Sequence, residues 1–71
     1  VMNDILDRIG RRIVQIRTER GISQQDLAAR CNFEKSNMSR IEYGRTNMTL
    51  VTLLTISRAL GVKLRDLVDV E

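Results

Sequence analysis

Four side chains between positions 35 and 40 could together form hydrogen bonds with the base edges of nucleic acid. They are Lys35, Ser36, Ser39 and Arg40. At about 100° per residue they fall on one face of a helix, opposite Met38 and Ile41. Arg40 can donate to guanine O6 and N7 together, Lys35 can donate to a base or a phosphate, and short serine hydroxyls allow close approach. The alternative is that this face is only solvated surface.

Asn37 lies on the shoulder of the same face, about 100° from Ser36. Its amide could contact an adenine or a phosphate, and a surface position without a ligand fits the pattern equally well. Asn37 is therefore a candidate base-reading residue whose role stays open.

A second group of residues is suited to phosphates rather than to bases. It consists of Ser23, Gln24, Arg45, Thr46 and Asn47. Ser23 can cap a helix that begins with Gln24, so that the glutamine amide and the free backbone N–H groups face a phosphate. Gln24 could instead be only a good helix former. Asn47 could bind phosphate or cap the next helix, and the cap is the favoured interpretation.

The residue types that the chain lacks exclude most catalytic and metal chemistry. It has no histidine and one cysteine, Cys31, so it offers no evident zinc set, catalytic triad or internal disulfide. Cys31 is spaced like a core residue of its helix, which favours packing over a redox role. We predict a protein that is not an enzyme and uses no metal or cofactor.

Length and composition predict one small, soluble domain. A chain of 71 residues buries only about 60% of its unfolded surface, which is too little to divide between two cores. It has 30% charged residues and no apolar run near the roughly 20 residues of a membrane span. We therefore expect no transmembrane helix, no signal peptide and a cytoplasmic location.

The net charge of +3 is modest, but its distribution is uneven. Between Arg30 and Arg58 basic residues outnumber acidic ones, whereas the tail carries Asp66, Asp69 and Glu71. The middle of the chain holds most of the candidate ligands. It is electropositive and suited to a polyanion.

The elements that must position these residues are all helical, because proline is absent and no alternating apolar pattern persists. Breakers and caps predict helices at about 4–20, 23–31, 34–43 and 49–60, and a short last helix with Leu64, Leu67 and Val68. The residues expected to face inward along the first four are Ile5, Ile9, Ile13, Ile16, Leu27, Ala28, Cys31, Met38, Ile41, Leu50, Leu53, Leu54 and Leu60. Gly10 interrupts the first helix, either because a neighbour approaches closely or because its cost of about 1 kcal/mol is tolerated.

Two of these helices, between positions 24 and 43, are joined by a tight corner with a constrained order of residue sizes. Ala28 is small where the helices must cross, and Asn32 tolerates the left-handed conformation that the corner needs. Phe33, Met38 and Ile41 supply an apolar wedge beneath the second helix. This spacing resembles the DNA-binding helix-turn-helix of the Cro and phage-repressor family, also called the xenobiotic-response-element (XRE) type.

The resemblance covers about positions 5–68. Further residues that match the family pattern, in the same order and at the same separations, are Arg17, 21–24, 40–44, Asn47, Leu50 and 59–62. Three positions depart from the family pattern: Asn32 replaces the more usual glycine, Met48 stands where proline is common, and Ser57 stands where alanine is frequent. Without the proline, the entry to the loop is less rigid.

The resemblance implies one compact five-helix, lambda-repressor-like domain over residues 1–71, which inserts the helix at about 34–43 into the major groove of double-stranded DNA. It implies a transcription regulator, in particular a repressor, with the base-reading and phosphate-binding residues given above. It also implies an ion pair between Arg17 and Glu42 and a homodimer formed through the C-terminal segment. The dimer candidates are Leu64, Val68 and Val70, which could instead complete the monomer core.

Two other functions compete with this interpretation. A protein-interaction module, such as an antitoxin that neutralises a toxin and represses its own gene, is the alternative from another class. A restriction-modification controller protein would bind DNA in the same manner. An enzyme is the weakest hypothesis, because the sequence lacks a pair of nucleophile and base.

Overall fold

The computed structural model describes the backbone of residues 2–70 and the side chains of residues 4–70. Within that range the chain forms five α-helices and no strand. They are α1 (Met2–Glu19), α2 (Gln24–Cys31), α3 (Lys35–Glu42), α4 (Leu50–Leu60) and α5 (Leu64–Val68). The expected all-α, five-helix fold is confirmed. No helix in the described part of the chain has the length and hydropathy needed to span a bilayer.

The corner between α2 and α3 has the conformation that the sequence predicts. Asn32 is left-handed, with φ 59° and ψ 38°, and the N–H of Phe33 donates to the carbonyl of Ala28 at 2.8 Å. Ala28 is 2% exposed, so a small side chain lies where the helices cross. At the start of α2, Ser23 Oγ accepts a hydrogen bond from the N–H of Asp26 at 3.0 Å.

The N-terminal cap of α4 is Thr49, and the cap predicted for Asn47 is wrong. Thr49 Oγ1 accepts a hydrogen bond from the N–H of Thr52 at 3.0 Å, whereas Asn47 is exposed in the preceding loop. The reason is that α4 begins at Leu50. The cap is the residue directly before the first helical one, and Asn47 lies two positions too early.

The helices enclose one hydrophobic core. Its fully buried apolar side chains are Ile13, Leu27, Met38, Ile56 and Leu67. Other residues expected to face inward lie in the same core, namely Ile9, Ile16, Ala28, Cys31, Ile41, Leu53 and Leu60. Burial raises the pKa of the Cys31 thiol, which keeps it protonated and agrees with a packing role.

Three residues expected to face the core, Ile5, Leu50 and Leu54, are exposed instead, and Val68 of the last helix is exposed as well. Leu54 and Val68 each follow a buried leucine by one position, which rotates them about 100° away from the core. Ile5 and Leu50 lie in the first turns of α1 and α4, beyond the edge of the core. Ile56, which was not among the residues expected to face inward, fills the core from α4 in their place.

Gly10 lies where α1 crosses the C-terminal end of α3. A β-carbon at position 10 would overlap the carbonyl oxygen of Glu42 and lie 2.8 Å from that of Ile41. Close approach of a neighbour, rather than simple tolerance, therefore explains this glycine. The contact sets the distance between α1 and the helix that carries the candidate base-reading face.

We expect Gly10→Ala to lower the melting temperature by at least about 4 °C. Alanine favours the helix by about 1 kcal/mol, but overpacking costs about 1–3 kcal/mol, and the upper half of that range applies here because the β-carbon meets backbone atoms that can move only with the whole helix. One kcal/mol corresponds to about 4–8 °C in a domain of this size. Thermal unfolding followed by circular dichroism measures the change, with Thr18→Ala at an exposed position of α1 as the control. A Gly10→Ala variant as stable as its parent would contradict this packing.

Candidate nucleic-acid interface

The outward face of α3 brings the five candidate base-reading residues together. They are Lys35, Ser36, Asn37 and Arg40, which are exposed, and Ser39, which is partly buried. On the opposite face Met38 and Ile41 are 0% and 2% exposed. Because these two side chains are packed in the core, the polar face is held in a fixed orientation.

A hydrogen-bonded network fixes the C-terminal end of α3 to α1 and α2. Arg17 Nε and Nη2 donate to the two carboxylate oxygens of Glu42 at 2.7 and 3.0 Å. Gln24 Nε2 donates to the same carboxylate at 2.9 Å, and Arg17 Nη1 donates to the carbonyl of Ile22 at 3.3 Å. The Arg17 and Glu42 side chains are only 14% and 3% exposed. The ion pair expected from the resemblance is thus present, with a third partner.

The charge of Arg17 is secured by this geometry. The hydrogen bond to the Glu42 carboxylate raises the pKa of Arg17 and outweighs the opposing effect of burial. A group with a raised folded-state pKa loses its contribution to stability only as the pH rises through that value. For an arginine this lies above any ordinary working pH.

Existing hydrogen bonds limit the donors that Gln24 and Ser23 have free for a phosphate. One amide hydrogen of Gln24 is engaged by Glu42, which leaves the second hydrogen and the backbone N–H groups at the start of α2. Ser23 Oγ already accepts the capping hydrogen bond, so only its hydroxyl hydrogen is free to donate. Both residues lie at the N-terminus of α2, where the helix dipole favours an anion.

The remaining candidate phosphate ligands follow α3 directly. Arg45 and Asn47 are exposed and Thr46 is partly buried. The N–H of Arg45 donates to the carbonyl of Arg40 at 2.9 Å, and its guanidinium carbon lies 5.9 Å from the centre of the exposed Tyr43 ring. The structure therefore brings a second arginine next to the end of the candidate base-reading helix.

The three dimer candidates lie in different environments. Leu64 and Val70 are partly buried and pack against the core, whereas Val68 is 40% exposed. Two of the three therefore contribute to the monomer core, and Val68 is the one with the most exposed apolar side chain.

Two features of this surface were missed by sequence reasoning. The bond between Gln24 and Glu42 joins residues 18 positions apart, and no local pattern signals it. Glu34 would fall beside Met38 on a helical wheel, but it is the N-cap of α3, with extended backbone at φ −70° and ψ 147°. Its side chain is therefore exposed near Ser36 and not turned into the core.

Fold and site together define a helix-turn-helix DNA-binding domain. Residues 12–71 match the family described as the Cro/C1-type HTH DNA-binding domain, and the chain belongs to this family. This finding confirms the resemblance drawn from the residues between positions 24 and 43.

Relatives of nearly the same length are regulators. The chain is 35% identical over 65 residues to the uncharacterized HTH-type transcriptional regulator y4dJ of Sinorhizobium fredii, covering 92% of this chain and 84% of that one. It is 39% identical over 67 residues to control protein C.MunI of a Mycoplasma species, covering 93% and 90%. The crystal structure of the restriction-modification controller protein C.AhdI from Aeromonas hydrophila superposes with a TM-score of 0.84 at 34% identity, covering 87% and 94%. The protein is thus a DNA-binding transcription regulator.

Proposed function

We propose that this protein recognises an operator sequence by placing α3 in the major groove of double-stranded DNA, and that it acts as a repressor. The observation that carries the proposal is the outward face of α3. It presents hydrogen-bond donors side by side, and its opposite face is locked in the core. A rigid face can hold its donors in register with base edges without first becoming ordered.

We assign the reading of bases and the binding of phosphates to two groups of residues. Lys35, Ser36, Asn37, Ser39 and Arg40 read base edges. Ser23, Gln24, Arg45, Thr46 and Asn47 bind the DNA backbone on either side of α3. Positioning contacts of the second kind carry no sequence information, so changes in the two groups have different effects on specificity.

The salt dependence of binding tests the phosphate group as a whole. If several cationic and N–H groups contact phosphates, affinity falls steeply as the salt concentration rises, with a slope close to the number of phosphates neutralised. Removal of Arg45 by Arg45→Ala then lowers that slope by about 1. A slope near zero in the parent would contradict the placement on DNA.

A protein-interaction function is the second candidate, and one observation favours it. Leu50 and Val51 are 72% and 73% exposed at the start of α4, and Leu54 is 37% exposed on the next turn. An antitoxin-like module needs such an apolar surface for a partner protein. A complex with the product of a neighbouring gene that survives salt high enough to abolish DNA binding would support this function.

We further propose that the protein binds DNA as a homodimer through the C-terminal segment, because one eight-residue recognition helix contacts few base pairs. Val68 is the most exposed of the three dimer candidates. We expect sedimentation equilibrium to show a dimer, and Val68→Asp to shift it towards monomer and weaken operator binding. Val51→Asp is the matched control on α4. If Val51→Asp separates the protomers and Val68→Asp does not, the interface lies on α4. If the parent protein stays monomeric when the operator is present, it does not bind DNA as a dimer.

A further inference from the structure

A cleft of about 430 Å³ lies at the N-terminal end of α3, beside the outward face. It is lined by Asn32, Phe33, Glu34, Ser36, Asn37 and Arg40. Three of these are candidate base-reading residues, so the cleft belongs to the surface that we place against DNA. Glu34 is the one acidic residue in its lining.

The side chain of Glu34 makes no hydrogen bond or ion pair that holds the described part of the chain together. Glu34 occupies the N-cap position of α3, yet its side chain forms no capping hydrogen bond and is exposed. The ion pairs among residues 4–70 join other side chains. A carboxylate near a helix N-terminus interacts favourably with the dipole, but on this surface it also repels the DNA backbone.

The donor and acceptor groups of the cleft match one kind of base-pair edge. In the major groove a G·C pair presents two acceptors, guanine O6 and N7, and one donor, cytosine N4. Arg40 supplies only donors, and the Glu34 carboxylate supplies only acceptors. The two side chains line the same cleft, and neither is paired with the other.

We propose that this cleft receives the major-groove edge of a G·C base pair, with Glu34 accepting a hydrogen bond from cytosine N4 and Arg40 donating to guanine. The inference rests on the proposed function, since it requires α3 in the major groove. Glu34 is then a specificity residue. Its charge weakens binding to DNA in general, and the cost is offset only where a cytosine amino group stands opposite it.

The test compares sites selected from random duplex DNA by three proteins: the parent, Glu34→Gln and Glu19→Gln. Glutamine keeps the size of the Glu34 side chain but both donates and accepts, which suits adenine. Glu19→Gln removes the same charge from an exposed position of α1, about 180° around that helix from Gly10 and hence away from α3. Circular dichroism shows that each variant is folded.

We expect Glu34→Gln to lose its preference for cytosine at one position and to gain adenine there, with discrimination falling about 5- to 150-fold. Glu19→Gln selects the parent's site. An unchanged preference in folded Glu34→Gln overturns the proposal, and so does tighter binding to all sequences alike, because that result reflects only the lost charge. A parent that selects no sequence at all overturns the proposed function instead, so the two failures are distinguishable.

Discussion

Glu42→Ala is expected to destabilise the domain by about 3–5 kcal/mol, since it strands the largely buried guanidinium of Arg17, whose side chain is 14% exposed. A domain of this size has a total stability of about 4–11 kcal/mol, so the variant loses a large share of it. The melting temperature falls by more than about 12 °C. Thermal and urea unfolding followed by circular dichroism measure the loss.

Two controls separate this effect from a general sensitivity of the fold. Asp26 and Arg30 form an ion pair at 3.1 Å with side chains 49% and 47% exposed, and Asp26→Asn is expected to cost no more than about 1 kcal/mol. The double variant Arg17→Met/Glu42→Leu removes both charges and is expected to be more stable than Glu42→Ala. A Glu42→Ala protein that melts within a degree or two of the parent would show that the pair contributes nothing.

Arg40→Ala is expected to lower affinity for the selected operator by about 1–3 kcal/mol and to relax the preference at one base pair. The reason is that a guanidinium bonded to guanine O6 and N7 is replaced by a methyl group, which cannot donate. Competition binding against sites changed at single base pairs measures both effects. Arg40→Lys keeps the charge but loses the planar fork, so it separates base reading from attraction to phosphate.

Gln24→Ala is the contrasting variant. It is expected to weaken binding to all sequences alike, because a contact at the start of α2 reaches the DNA backbone and not a base. Gln24 also bonds to Glu42, so affinity is compared at a temperature where both proteins are folded. A Gln24→Ala protein that loses preference at a single base pair, with Arg40→Ala unchanged in preference, would reverse the two assignments.

The sequence is sufficient to predict the helices and the corner of this fold, because local rules determine both. Ser23 caps α2 through a hydroxyl at the right distance, and Asn32 takes the one conformation that few other residues tolerate. Ala28 and Met38 are buried as their spacing predicts. These features depend on neighbours within about four positions.

Features that depend on distant residues were predicted less well. Leu50 is exposed because the core ends before the first turn of α4, and Leu54 is exposed because α4 turns Ile56 inward. The apolar composition of α4 does not reveal which of its residues face the core. The packing of Gly10 against α3 depends on the angle at which two helices cross. Gln24 joins Glu42 because a third helix brings them together. Periodicity within one helix carries none of this information.

In the candidate site too, the residues that local helical geometry places were predicted and the others were not. The outward face of α3 follows from helical geometry, so Lys35 to Arg40 could be placed before the structure was known. The Glu34 side chain could not be placed in this way, because a helical wheel does not apply to a residue whose backbone is extended. The position of the Glu34 side chain therefore follows from the structure and not from the helical period.

Selection of bound sites from random duplex DNA, followed by sequencing, shows whether the outward face of α3 reads a DNA sequence. We expect the parent to enrich one sequence with two half-sites about 34–36 Å apart, or a multiple of that distance, and Arg40→Lys to lose one base preference within each half-site. If the folded parent enriches no sequence, or if Arg40→Lys and Arg40→Ala both select the parent's site unchanged, then α3 does not read DNA through this face.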